Sequence, residues 1–275
     1  MRKILVLMLA LMVVFGMSGL VLANNEVDIM QKGEGGEALI YQEGEENDID
    51  LDQTSRSAPW NTIAEIDQIG NENNVELTQY IMTSSVQTRA YIEQIGDNNS
   101  LIGQQRCNAY LDLYQEGVEN EVELYQTTNY DKEKAYINQI GNNNFIKLDQ
   151  KDAKAWIEQR GNENIFRLEH NTEFPVQDEK SEVYFTQEGN NNEFVGFNGE
   201  TSTELAIQKN SSYIGYQYGN NNLIGLNQAG NDNALITQDG NGNTALLWQG
   251  DEDIGHSANI IQDGDGNNSV VTQSN

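Results

Sequence analysis

Glutamine returns along this chain at a spacing that few folds can satisfy. Gln31, Gln42, Gln53, Gln68, Gln79, Gln94, Gln105, Gln115, Gln126, Gln139, Gln150 and Gln159 are followed by His170, Gln187 and Asn198, then by Gln208, Gln217, Gln228, Gln238, Gln249, Gln262 and Gln273. Of these 22 anchors 20 are Gln, and the gaps alternate between 11, or close to it, and a looser value of 9 to 17. A period of about 22 residues is a repeat architecture and has to be recognised before any single segment is read.

The residues upstream of each anchor say what the period builds. Two positions before it stand Ile40, Ile66, Leu77, Ile92, Leu113, Ile137, Ile157, Phe185 and Ile236, with Gly103, Gly196 and Gly215 as the positions lacking a side chain. Four positions before it the residues are again apolar, from Val27 and Ile49 through Phe166, Val183 and Phe194, broken by Glu204 and Ser269. The intervening positions are mixed and include Asp52, Asp67, Glu93 and Glu158. Apolar residues alternating with a period of two over about five residues predict a strand with one buried face, and that face ends in the Gln.

The connections are equally regular. Gly stands two residues after many anchors (Gly44, Gly70, Gly96, Gly117, Gly141, Gly161, Gly189, Gly219) and Asn five after them (Asn47, Asn73, Asn99, Asn120, Asn144, Asn164, Asn192, Asn222). Both residue types accept positive φ at little cost, so both are expected to hold a tight reversal. Each period is then strand, arc, strand, looser loop. Such a unit cannot bury its inner faces alone, but stacked copies can, and the expected fold is an all-β, two-sheet β-solenoid. Treating all 22 anchors as strands gives about 11 turns, each rising ~4.8 Å.

A primary amide left unpaired in an apolar slot costs roughly 1–3 kcal/mol. Identical amides one layer apart can instead bond to each other along the axis, so the Gln column is expected to be a structural ladder. Exposed rungs at the ends of such a stack are templates for further copies of the same chain.

Composition narrows the function classes. The 275 residues hold 15 basic and 43 acidic side chains, for a net charge of −28, which disfavours nucleic acid as a partner. One cysteine, Cys107, supports no internal disulfide. Residues 1–23 read as a secretory signal peptide: Arg2 and Lys3, an apolar run over Ile4–Phe15, and Val21-Leu22-Ala23 at the cleavage position. Its removal leaves residues 24–275 as one repeat domain with a charge of −30, and no later segment long enough to span a membrane is expected. Lys147 and Arg167 stand in the register position of Asp50, Glu76 and Glu123 and are expected to offset stacked like charges. No Ser, His and Asp set can be placed, so no enzymatic activity, cofactor or metal is expected, with His170 and His256 lacking a ligand cluster. Tyr41, Tyr114, Tyr125, Phe197, Tyr216 and Trp248 directly precede anchors and are expected to face outward.

The motif Gln-x-Gly-x-x-Asn-x-x-x-x-x-Gln, carried by Gln68, Gly70, Asn73 and Gln79 and repeated from residue 31 to 273, resembles the curlin repeat of bacterial curli fibre subunits. That resemblance implies a secreted, self-assembling functional amyloid that polymerises with itself and related subunits into extracellular fibres for adhesion and biofilm matrix. The chain departs from the family in mostly lacking an opening serine and in the long connections 171–181 and 199–203. A monomeric secreted solenoid adhesin is the alternative, with calcium-dependent binding at the acidic, Gly-rich stretches 239–243 and 263–267 as one form of it.

Overall fold

The structure is a computed structural model and describes residues 24–30, 37–55, 63–81, 89–104, 110–125, 134–147, 153–169, 181–197, 202–203, 206–209, 211–250 and 255–274. All regular structure in them is β, and the strands pair in parallel, with one short antiparallel exception. The chain is a β-solenoid.

The longer sheet stacks ten rungs in sequence order: Glu37–Glu43, Ile63–Ile69, Arg89–Asp97, Tyr110–Val118, Ala135–Asn142, Glu158–Arg160, Ser181–Glu188, Ser212–Tyr218, Asn233–Asp239 and Ser257–Asp263. Ala153–Lys154 shares the rung of Glu158–Arg160, since both pair with Ser181–Glu188. Anchor lies on anchor throughout: Gln42 faces Gln68, Gln68 faces Gln94, and the register continues to Gln238 against Gln262. Register of this kind is fixed by the buried face, because a one-residue slip would turn every apolar side chain outward.

The facing sheet is less regular. Its C-terminal part runs through Phe145–Ile146, Ile165–Phe166, Glu193–Phe197, Leu223–Ala229, Thr244–Gly250 and Asn268–Gln273. Nearer the N-terminus, Glu26–Val27 pairs with Asp48–Ile49 and Gln53–Ser55 with Gln79–Ile81. Between these parts the rungs continue without regular strands, joined by bonds such as Asn74 N–H to Asn99 O at 2.9 Å and Ser100 N–H to Asn120 O at 2.8 Å.

The turn count is lower than eleven, and one insertion accounts for the difference. After Glu193–Phe197 the chain leaves the rung, and Ser202–Thr203 pairs back on Gly196 and Phe197 in antiparallel. Ala206–Lys209 then re-enters the same rung between Leu168–Glu169 and Leu223–Ala229, with Gln208 opposite Gln228. Gln208 therefore holds the anchor register that spacing alone gave separately to Asn198, which lies outside the described residues. Glu193–Phe197 and Ala206–Lys209 share one rung, since both pair with Leu223–Ala229.

The slot between the sheets holds the alternating residues. Ile49, Leu51, Ile66, Val75, Leu77, Leu101, Leu111, Ile146, Ile157 and Leu247 are fully buried in one continuous cluster. Ala38, Ile40, Ala258 and Val271, on the outermost described rungs, are only partly covered. Where the alternation lacks a side chain, an aromatic takes the space: a Cβ on Gly215 would lie 2.0 Å from Tyr213 Oη, and Tyr213 packs with Phe185 and Phe194.

Candidate functional site

The repeated anchors converge on a single file of amides. Gln42 Nε2 donates to Gln68 Oε1 at 2.8 Å, and the same bond recurs from Gln68 to Gln94, Gln115, Gln139, Gln159, Gln187, Gln217, Gln238 and Gln262 at 2.7–3.0 Å. Ten side chains and nine bonds run in one direction. From Gln68 to Gln238 each is fully buried. The Nε2 group has two protons, and the second serves backbone carbonyls, as when Gln139 reaches Asn144 O and Glu121 O, both at 3.0 Å. From Gln68 to Gln238 each rung of this sheet thereby satisfies its buried amide with the rungs beside it, which removes the penalty for burying it, whereas on the facing sheet the buried Gln228 Oε1 has no partner among the described residues.

On the facing sheet, Gln228 donates to Gln249 at 2.9 Å and Gln249 to Gln273 at 2.7 Å. Backbone register places Gln53 on Gln79. Gln31, Gln105, Gln126, Gln150, His170 and Cys107 lie outside the described residues.

The arc after each long-sheet anchor carries a second ladder. Asn73 N–H and Nδ2 both donate to Asn47 Oδ1, at 3.1 and 3.0 Å, while the same Nδ2 reaches forward to Gly96 O at 2.7 Å. Forward bonds to the next rung's Gly carbonyl recur at Asn47, Asn99, Asn120, Asn144, Asn164, Asn192 and Asn222. The expectation that Asn supplies positive φ is corrected here. The left-handed positions are the Gly two residues after the anchor and the residue four after it, such as Glu46, Glu72, Asn98, Glu119 and Glu163 at φ 55–57°. Asn five after the anchor is held for its buried amide.

Gly in the arc is required twice over. Gly141 has φ +123°, and a Cβ there would lie 1.9 Å from Gly161 O on the next rung. A larger residue would both strain the backbone and separate the rungs.

A third file, one residue past the Gly, was not legible as a motif because its members differ. Asn71 N–H donates to Asp97 Oδ1, Asn142 N–H to Asn162, Asn190 N–H to Asn220 and Asn241 N–H to Asp265. Glu45 and Val118 occupy the same file and contribute only their N–H. The backbone and side-chain bonds from Asn241 hold the Asp265 carboxyl below the usual carboxylate range. On the opposite edge, near the C-terminal end, His256 N–H and Nδ1 lie 2.7 and 3.0 Å from Asp232 Oδ1, repeating the Asn geometry with different residues.

The outer surface carries charge and aromatics. Lys147 pairs with Glu123 at 3.0 Å, as their shared register position predicts. Tyr41 and Tyr125 face solvent, Tyr114, Tyr216 and Trp248 are half-buried on outer faces, and the side chain of Phe197 is outside the description. The Tyr114 phenol is pushed up to about 12, chiefly by its hydrogen bond to Glu116. Among the described residues no three His, Cys, Asp or Glu side chains form a group able to hold a metal, and no helix is long and apolar enough to cross a membrane.

Residues 23–54 match the family model of the curlin associated repeat. That segment contains Gln31, Gln42, Gly44, Asn47 and Gln53, the first full copy of the pattern that the solenoid repeats. No curated protein and no solved structure matches the chain.

Proposed function

We propose that this protein is a secreted structural subunit whose copies stack end to end into a curli-like extracellular fibre serving adhesion and biofilm matrix. The observation that supports it most directly is the directional Gln ladder: each rung offers the next the same donors, acceptors and apolar pair, so nothing in the pattern distinguishes a rung of the same chain from one of another copy. At the outermost described rung the ladder turns back on itself. Gln262 Nε2 keeps the bond to the preceding rung's backbone that interior glutamines make, here to Thr244 O at 2.8 Å, but its other donor goes to Ser269 Oγ at 3.3 Å in its own rung, and Asn267 Nδ2 goes to its own rung's Gly264 O. These groups are placed to re-bond to an incoming rung. The reading is structural rather than enzymatic, and residues 1–23, outside the described residues, are its export signal.

The test is incubation of the purified mature chain with thioflavin T, electron microscopy and fibre diffraction, with filaments and a meridional reflection at ~4.8 Å as the expected result. Gly264→Ala sharpens it. A Cβ there meets nothing nearer than Asn267 Nδ2 at 3.9 Å, whereas on Gly240 it would lie 2.3 Å from Gly264 O. The variant carries the backbone strain of φ +94° at its last arc but no clash within its own chain, so it should stay folded and fail to elongate fibres at that end. A wild-type chain that remains monomeric under all these conditions overturns the proposal and leaves the solenoid adhesin.

A further inference from the structure

The outer face of the longer sheet carries a feature that neither the repeat nor fibre assembly uses. Tyr91, Tyr110 and Tyr136 come from three successive rungs and are half-buried on that face, since their neighbours Ala90, Leu111 and Ala135 point into the core. Their rings touch in sequence: Tyr91 to Tyr110 at 5.8 Å between centroids and 69° between planes, and Tyr110 to Tyr136 at 5.5 Å and 70°. Trp156 and Tyr184 extend the file at 5.1 and 4.7 Å. Trp156 separates Tyr136 from Tyr184, so the phenols that meet ring to ring are those on either side of Tyr110.

We propose that Tyr91, Tyr110 and Tyr136 form an oxidative cross-linking site, at which a peroxide-driven one-electron oxidant joins Tyr110 to one of its two neighbours as dityrosine. Each of the two tyrosines gives up one electron and its phenolic proton. The resulting phenoxyl radicals carry spin at the ring carbons ortho to oxygen, where one carbon–carbon bond forms. The hydrogens on those carbons move to the oxygens as the rings regain aromaticity. Hydrogen peroxide accepts the two electrons and two protons and leaves as two waters, so the balance closes. Asp112 Oδ2, 3.4 Å from Tyr110 Oη, is the base placed to take the proton as the electron departs. Tyr110 stands two residues out of register with Tyr91 and Tyr136, on the diagonal of rungs ~4.8 Å apart, and its ring meets both neighbours across that diagonal without any movement of the backbone. The bond would staple adjacent rungs covalently and resist their separation.

The full chain, isolated as monomer and treated with a haem peroxidase and hydrogen peroxide, tests this. Dityrosine fluorescence should develop without increase in mass. Trypsin should release residues 90–106 joined to 107–132, or 107–132 joined to 135–147, because cleavage falls at Arg106, Lys132 and Lys134. Tyr110→Phe, which keeps the ring, should lose both joined peptides, while Tyr114→Phe on the same strand should keep them. Retention of either product in Tyr110→Phe, the same products from urea-unfolded chain, or coupling only between molecules overturns the proposal.

Discussion

A ladder glutamine acts as donor and acceptor at once, so its replacement is felt on both sides. Gln139 accepts from Gln115 at 2.8 Å and donates to Gln159 at 3.0 Å. Gln139→Leu keeps the bulk but leaves the Gln159 oxygen and the Glu121 and Asn144 carbonyls short of a donor in a fully buried site. Roughly 2–5 kcal/mol of lost stability is expected in urea unfolding, against about 1 kcal/mol or less for Gln273→Leu at the half-exposed outermost rung. Equal losses at the two positions would mean that the amides act as packing bulk. Asp265 gives the pH-dependent counterpart. Its folded pKa is depressed by the Asn241 bonds, so its contribution is present above the ordinary carboxylate value and is lost as pH falls through the lowered one. The Asn241 amide resonance should hold its position into acid and then shift as Asp265 protonates, and Asp265→Asn, which keeps an amide oxygen, should abolish that shift.

At the scale of the rung, the sequence carried the inner face and missed much of the outer one for a physical reason. Buried positions admit few residue types: an apolar pair, a Gln that must answer its neighbours, a Gly whose Cβ would strike the next carbonyl. Their identities therefore repeat and can be read from spacing. The left-handed position four after the anchor is solvated and accepts Glu as readily as Asn, so it leaves no signature, and the regular Asn beside it draws the expectation of positive φ instead. Likewise the aromatic file escaped notice because Tyr110 enters it from five residues before its anchor and Tyr91, Tyr136, Trp156 and Tyr184 from three. Gly215 shows the opposite case, a gap in the apolar column that reads as a defect and is in fact filled by Tyr213. That ring arrives with an unmet hydroxyl: Tyr213 Oη has no hydrogen-bond partner among the described residues, and burial pushes its pKa well up. Tyr213→Phe should accordingly raise stability by about 1 kcal/mol in urea unfolding. A lower midpoint would show that the hydroxyl is bonded.

For the whole molecule the deciding quantity is where the charge lies. Of the seven described Lys and Arg, five gather in the middle rungs, at Lys134, Lys147, Lys154, Arg160 and Arg167, with Arg89 and Lys209 to either side of them. Among the described residues, the outermost rungs carry Glu26, Asp28, Glu37 and Glu43 at one end and Asp263 and Asp265 at the other, with no Lys or Arg on either. End-to-end contact therefore brings carboxylate to carboxylate while the backbone edges and amides attract. Repulsion between exposed charges is screened over ~30 Å at 0.01 M salt and ~10 Å at 0.1 M, whereas the ladder bonds form only at contact. Salt should thus act on encounter more than on the finished junction. The lag before fibre growth should shorten several-fold between those concentrations, and acidification towards the carboxylate range should shorten it further, with little change in the urea resistance of fibres already formed. Glu37→Gln with Glu43→Gln should shorten the low-salt lag and flatten its dependence on salt. A lag indifferent to both salt and this substitution would place the barrier in folding of the rungs rather than in the approach of like-charged ends.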